Sequence, residues 1–159
     1  MIRSPHLKIH KNDTRISKHE YFLEVAKVIA LRSTCLKHKV GCILVKNNQI
    51  LSTGYNGAAR GLTHCLDSGC IRENIESGKN IEHCRAIHAE QNAIINAAKQ
   101  GTSISGAICY CTHEPCINCL KMLYNTEIIE IHYIEDYPND YKDLFGFRIN
   151  IFKHDNSIR

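Results

Sequence analysis

Two short patterns in this 159-residue chain have the residue types and spacing of a metal centre: His88-Ala89-Glu90 and Pro115-Cys116-Ile117-Asn118-Cys119. A Cys-x-x-Cys on a helical turn sets both sulfurs on one face, about one turn apart. There two thiolates can occupy two corners of a zinc tetrahedron, and the partial positive charge of a helix N-terminus favours their ionised form. His88 supplies a nitrogen as third ligand. Three protein ligands leave a fourth position for water, the arrangement of a catalytic rather than a closed structural zinc. Zinc lowers the pKa of that water toward neutrality, and Glu90, which can stay off the metal, can carry the proton. Either pattern alone means little, because His-x-Glu is common and Cys-x-x-Cys also serves thiol redox pairs and zinc ribbons. Their combination, each at an expected helix start, predicts a catalytic zinc.

The elements that must position these residues follow from periodicity. Ser17 and Glu20 have the spacing of a capping box, and Tyr21, Phe22, Val25, Ala26, Ile29 and Ala30 then recur at helical period, predicting a helix to about Ser33. Residues 40–45 and 50–53 read as a hairpin turning through Lys46-Asn47-Asn48-Gln49. Residues 54–85 are irregular and hold five of the nine glycines. A second helix is expected over 87–100 with Gly101 at its C′ position, then a strand over 107–112. Pro115 suits the first turn of a third helix reaching Asn125. Strands are expected over 128–134 and 147–152, with a helical turn near 141–144. This order predicts a mostly parallel or mixed sheet flanked by helices. No repeat or linker divides the chain, so one domain is expected over 18–153, with a polar lead (1–17) and a polar tail (154–159).

Composition narrows the class. Apolar residues at 43% and charged residues at 23% support a packed core. No apolar run approaches the roughly 18 residues of a membrane span. The first 18 residues are polar and lack the apolar stretch of a secretory signal. A cytoplasmic, reducing location is therefore expected, in which nine cysteines serve metal or chemistry rather than disulfides. The net charge of +4 permits anionic ligands without indicating a nucleic-acid surface.

His-x-Glu followed by Pro-Cys-x-x-Cys is the signature of the zinc nucleobase deaminases. From about residue 30 to 133 the chain resembles the deoxycytidylate (dCMP) deaminases of bacteria and phages, within the cytidine deaminase superfamily. The likeness rests on Arg32-Ser33, Lys39-Val40-Gly41, Gly54-Tyr55-Asn56-Gly57, the run from Cys84 to Ile94, and Thr112-His113-Glu114-Pro115-Cys116. The zinc patterns identify only the superfamily; the Gly-Tyr-Asn-Gly loop and the His-Ala-Glu-Gln-Asn-Ala-Ile string belong to the dCMP branch. The chain departs from it at Ala59, where relatives commonly have proline, at Leu120, where they have alanine, and near Glu127, where they have glycine. None of these removes a catalytic group, and the first bears on the nucleotide loop.

The resemblance implies a cytidine deaminase-like three-layer α/β/α sandwich with a central five-stranded mixed sheet. It implies zinc-dependent hydrolytic deamination of dCMP to dUMP and ammonia, supplying dUMP for thymidylate synthesis. Activated water attacks C4, Glu90 protonates N3 and then the departing amine, and the Ala89 N–H holds the pyrimidine O2. Asn56 is expected at the deoxyribose 3′-hydroxyl, although a Gly-flanked Asn equally suits a turn. Arg32, Arg60 and Lys121 are the candidates for the 5′-phosphate, each also at home as a solvated surface charge. Relatives carry a second, structural zinc in the irregular region, for which Cys35, Cys65, Cys70 and Cys84 are the expected ligands, with His64 or His83 as substitutes. The plainer reading is free thiols packed as small hydrophobes, as expected for Cys42, Cys109 and Cys111 within strands. His113 either lines the pocket or orients the turn. By the same resemblance the chain is a homohexamer activated by dCTP, with Mg2+ accompanying this effector, and inhibited by dTTP, through a region containing Gly54, Tyr55, Asn56 and Gly57.

Neighbouring activities compete with this reading: deamination of cytidine nucleosides, of tRNA adenosine, or of an intermediate of riboflavin synthesis. Polynucleotide deaminases need a basic, aromatic-bearing surface, whereas this chain has no Trp and only 7% aromatic residues. No polynucleotide or membrane partner is therefore expected. An inactive zinc-stabilised module, accessory to DNA uptake, is the alternative from another class. Glu90 separates the two, because a zinc kept for folding alone has no use for it.

Overall fold

The computed structural model describes residues 15–138 and 149–156. The helical turn expected near 141–144, the first 14 residues of the lead and the last three of the tail lie outside them. Ser17 opens α1 (Lys18–Ala30) through the expected capping box: Ser17 Oγ accepts from Glu20 N at 3.2 Å, and Glu20 Oε2 accepts from Ser17 N at 2.7 Å. These bonds satisfy donors that every helix start leaves open. The helix stops short of Ser33, because residues 31–33 tighten into i→i−3 bonds and the Ser33 hydroxyl turns away to Asn56.

Strands β1 (Gly41–Lys46) and β2 (Gln49–Tyr55) form the expected hairpin. Its tip places Asn47 and Asn48 at φ 52° and 61°, the two left-handed residues of a type I′ turn. The irregular segment contains β3 (Gly57–Ala58), α2 (Cys65–Ser68) and a 3-10 turn at Ile81–His83, and β4 (Ala86–Ile87) follows it directly. β3 and β4 pair antiparallel as a separate two-stranded sheet. Two-residue strands carry no periodicity, so the sequence does not reveal them. The second helix, α3 (Ala89–Lys99), accordingly begins two residues later than expected and ends at Gly101, φ 67°. β5 (Ile108–Cys111) leads to α4 (Ile117–Asn125), followed by β6 (Glu130–Tyr133) and β7 (Asn150–Lys153). Pro115 does not enter the first turn of α4; it precedes Cys116, which is the extended N-cap residue at φ −67°, ψ 167°.

The main sheet has the order β2-β1-β5-β6-β7, antiparallel between the first three strands and parallel between the last three. β1 is apolar from Gly41 to Val45 because both of its faces are covered. Cys42 and Leu44 pack with Ala89, Ala93, Leu120 and Leu123, whereas Ile43 and Val45 pack with Phe22 and Leu23 of α1. This is the three-layer α/β/α sandwich with a five-stranded mixed sheet. Cys42, Cys109 and Cys111 are fully buried in it, with the Cys42 and Cys109 sulfurs 3.5 Å apart. No helix among the described residues is long and apolar enough to cross a membrane.

On the α1 face, His132 of β6 is nearly enclosed. It stacks between His19 (centroids 4.3 Å) and Phe152 (4.9 Å), its Nδ1 lies 2.8 Å from His154 Nε2, and its Nε2 lies 3.2 Å from Glu130. Burial lowers the His132 pKa, Glu130 opposes this, and the His19 and His154 imidazoles lower it further. Burial and His19 also lower that of His154, against Glu20 and Asp155. A depressed folded-state pKa means that the unfolded chain takes up these protons first. The stabilisation is therefore complete above about pH 6.5 and is lost as pH falls through the folded values. Thermal melts from pH 7.5 to 5 are expected to show this loss, up to about 1.4 kcal/mol per pH unit for each extra proton. His132→Phe should flatten the slope; an unchanged slope would remove the assignment.

Candidate active site

α3 and α4 begin at neighbouring points and bring the metal-binding patterns together. His88 is the N-cap of α3, Cys116 the N-cap of α4, and Cys119 lies in the first turn of α4. His88 Nδ1 is 3.4 Å from each of the two sulfurs, and the three donor atoms lie within 4.8 Å of one another. Ligands about 2.0–2.3 Å from a tetrahedral zinc sit about 3.5 Å apart, so the edge lengths fit. The protonation pattern fits as well. The Cys119 hydrogen bond, helped by His88 and opposed by burial, draws the Cys116 thiol down to about 4. The Cys116 contact and burial hold the Cys119 thiol far above the ordinary thiol range, and Cys116 raises His88 to about 9. With only protons available, one sulfur of the pair must keep its hydrogen; a divalent cation lets both be thiolates.

Gln91 belongs to this construction although it was not foreseen. Its Oε1 accepts from His88 N at 3.0 Å and so fixes the backbone of the ligand. The signal was present, since Gln91 stands three residues after the N-cap, where a capping box places Glu or Gln.

Glu90 lies in the first turn of α3, is only 4% exposed, and is not one of the three donors. Burial raises its carboxyl to about 6, against the pull of His88. The N–H of Ala89 is a first-turn donor without an intrahelical partner, and Ala89 and Glu90 line the cavity that opens beside the metal donors. Asn56 lines it too, but its amide is largely committed. Oδ1 accepts from Ser33 Oγ (2.6 Å) and Val40 N (2.9 Å), and Nδ2 donates to His38 O at 2.8 Å, leaving one Nδ2 hydrogen. Asn56 therefore ties the 33–40 loop to the end of β2. His113 lines the cavity, with Nδ1 3.0 Å from Thr112 Oγ1 and a pKa lowered first by burial and then by His38.

Other expected residues fall elsewhere. Arg32, Arg60 and Lys121 are exposed and none of them lines the cavity, which instead has Lys37, Arg72 and Tyr137 in its wall. Those three come from segments whose meeting only the tertiary fold brings about. Gly54 packs against α3, and a Cβ at Gly57 would lie 2.7 Å from Thr34 Oγ1, so packing accounts for both glycines. Tyr55 is exposed at the end of β2, its carbonyl accepting from Asn92 Nδ2 at 2.8 Å. Cys35, Cys65, Cys70 and Cys84 all line one cavity, and Cys65 is raised by burial and then by the other three. They stand farther apart than metal ligands, because among the described residues only His88, Cys116 and Cys119 form a close set of three. His64 and His83 are exposed and outside that wall.

A mixed-sheet sandwich carries at two helix starts a His/Cys/Cys set that could hold a zinc ion, with a buried carboxyl beside it. The chain belongs to the cytidine and deoxycytidylate deaminase family, whose zinc-binding region matches residues 16–135. It is 40% identical over 134 residues to the deoxycytidylate deaminase of Schizosaccharomyces pombe, covering 83% of this chain and 41% of that protein. It is 41% identical over 124 residues to ComE operon protein 2 of Bacillus subtilis, covering 77% of this chain and 62% of that one. The chain thus spans about two fifths to three fifths of the length of these curated relatives. The crystal structure of the dCMP deaminase from cyanophage S-TIM5, in complex with dCMP and dUMP, superposes with a TM-score of 0.72 at 32% identity, covering 85% of this chain and 95% of that one.

Proposed function

We propose that the chain is a zinc-dependent dCMP deaminase, hydrolysing dCMP to dUMP and ammonia. The observation that carries this reading is the buried carboxyl of Glu90, set beside three metal donors in a cavity and not itself a donor. Similarity to the cyanophage enzyme, whose complex holds dCMP and dUMP, supports the choice of nucleotide.

His88, Cys116 and Cys119 would hold the zinc, which when bound supplies the Lewis acidity that makes water nucleophilic near neutral pH. Glu90 takes the proton that water loses as its oxygen bonds to C4, and passes it to ring N3. Glu90 then transfers the hydroxyl proton to the amine, the C4–N bond breaks, and ammonia leaves with C4 as a carbonyl. A carboxyl held near 6 suits both directions of transfer at neutral pH. The Ala89 N–H positions the pyrimidine O2, and the remaining Asn56 amide hydrogen serves the deoxyribose.

Ammonia release from dCMP, compared with cytidine, dCTP and a tRNA substrate, tests the assignment. dCMP is expected to be the preferred substrate; zinc-replete protein that leaves dCMP untouched would overturn it. Running the panel with dCTP and dTTP tests activation by the first and inhibition by the second in a homohexamer, a regulation carried by resemblance alone. We also assign a second, structural zinc to Cys35, Cys65, Cys70 and Cys84, whose joint placement on one cavity supports it. A bound ion would draw them into a closed site and anchor a segment with little apolar burial of its own. About two zinc ions per chain are expected, falling to about one in Cys65→Ser; a reproducible single zinc in the unaltered protein would remove this site.

A further inference from the structure

The three metal donors come from two helix starts, and in each the N-cap residue is itself a donor: His88 for α3 and Cys116 for α4. An N-cap residue ordinarily turns a side-chain oxygen back onto the first turn. Cys116 makes no such cap bond, and His88 turns Nδ1 to the two sulfurs. A helix start can also be closed from the other side, by a Glu or Gln three residues after the N-cap. In α3 that residue is Gln91, whose Oε1 accepts from His88 N at 3.0 Å. In α4 the same position is Cys119, which is a donor too. The start of α4 therefore cannot close its own box. Gln91 reaches α4 instead: its Nε2 donates to Met122 Sδ at 3.8 Å, a soft contact because a thioether is a weak acceptor. The neighbouring amides of α3 run to the sheet. Asn92 Nδ2 donates to Tyr55 O at 2.8 Å and Asn96 Nδ2 to Thr53 O at 2.9 Å, both on β2. Gln91 thus joins the backbone of one donor to the helix that carries the other two.

We propose that Gln91 is a positioning residue that sets the span between His88 and the Cys116/Cys119 pair, and with it how tightly and how long the metal is held. The inference rests on the zinc reading of this site and deepens it. A site whose donors already stand at the right spacing binds its metal with little reorganisation, and that spacing is kept by the residues behind the donors. His88 sits where the chain passes from β4 into α3. Without the Gln91 bond this junction can pivot and carry Nδ1 away from the sulfurs. The Met122 contact opposes the complementary motion, a drift of α4 away from α3. Removing a partner that orients a metal ligand weakens metal binding by about 10- to 100-fold. Because Gln91 holds the backbone of His88 rather than its ring, the lower part of that range is expected.

The test uses the full chain loaded with zinc or with cobalt, and its Gln91→Ala, Gln91→Glu, Met122→Leu and Asn92→Ala variants. Zinc release is followed by transfer to a chromophoric chelator, and donor geometry by the visible absorption of the cobalt form. Gln91→Ala is expected to release one zinc per chain about 20-fold faster, and to shift and weaken the cobalt bands. Gln91→Glu keeps an acceptor for the His88 N–H and should restore most of the retention. Met122→Leu removes the sulfur at similar volume and should speed release more mildly. Asn92→Ala takes an anchor from the next residue of α3, so it should lower the melting temperature comparably while leaving zinc release and the cobalt spectrum unchanged. Unchanged release and spectrum in Gln91→Ala, no recovery in a folded Gln91→Glu, or equal zinc loss in Asn92→Ala would overturn the proposal, the last by showing a general loosening of α3. Gln91-dependent zinc retention without turnover of dCMP would support the proposal and sink the deaminase reading. Unaltered protein that takes up neither ion would overturn this proposal together with the zinc reading.

Discussion

Glu90→Gln is expected to lower dCMP turnover by about 10³- to 10⁴-fold while leaving the zinc content unchanged. The substitution keeps the shape of the side chain and its place in the first turn of α3, where it is almost wholly buried. It removes the ability to accept and return a proton, which is the single task the geometry leaves to this residue. The proposed metal donors are His88, Cys116 and Cys119, so the amide should take nothing from the metal. Steady-state rates together with metal analysis of the purified variant check both halves. Loss of zinc would show that Glu90 is a ligand, and turnover within tenfold of the unaltered enzyme would show that another group moves the proton. The variant should also be no less stable, because burying a carboxyl that ionises near neutrality opposes folding and an amide avoids that cost.

The second large effect is expected at a residue that has no side chain. At Gly54 on β2 an added Cβ would collide with the Ala89 carbonyl and the Ala93 N–H of α3. Backbone atoms cannot rotate out of the way, so Gly54→Ala should push α3 off the sheet and cost about 3 kcal/mol, the upper end for overpacking. His88, Ala89 and Glu90 lie at the start of that helix. A displacement of about 1 Å there should lower kcat by about 100-fold in the molecules that remain folded. Gly41→Ala is the matching control: its Cβ would meet Ala26 and Ala30 of α1, on the opposite face. It should lower the melting temperature comparably with much less loss of kcat. Equal activity losses in the two variants would show that Gly54 does not act through the seating of α3. Gly54 thus has a packing role that the Gly-Tyr-Asn-Gly string alone does not disclose.

The candidate centre was legible in the sequence because its parts are local. A ligand and its acid–base partner two residues apart, and two thiols one helical turn apart, need only the correct element starts to be assembled. The capping box at Ser17, the Asn-Asn turn and the Gly101 terminus are equally local, so the elements could be placed to within a few residues. What the sequence could not order was the segment from residue 54 to 85, whose strand β3 is two residues long, like its partner β4 just beyond, and whose cations look like any surface charge. There the pairing of β3 with β4 and the carbonyl bonds from Lys37 hold Arg72 in the cavity wall. Arg32, Arg60 and Lys121 were plausible by type, but their side chains lie at the surface.

By itself, the sequence pointed to His88, Cys116 and Cys119 as candidate metal ligands and placed them close to the starts of two helices. The tertiary structure alone decided which cations face the cavity, that Asn56 is spent mostly on the 33–40 loop, and that the four cysteines share one wall without closing on one another. The physical reason is range: spacing along one helix fixes a ligand pair, whereas the facing of a charge is settled by contacts between segments 35 or more residues apart in the chain, such as Lys37 with Arg72.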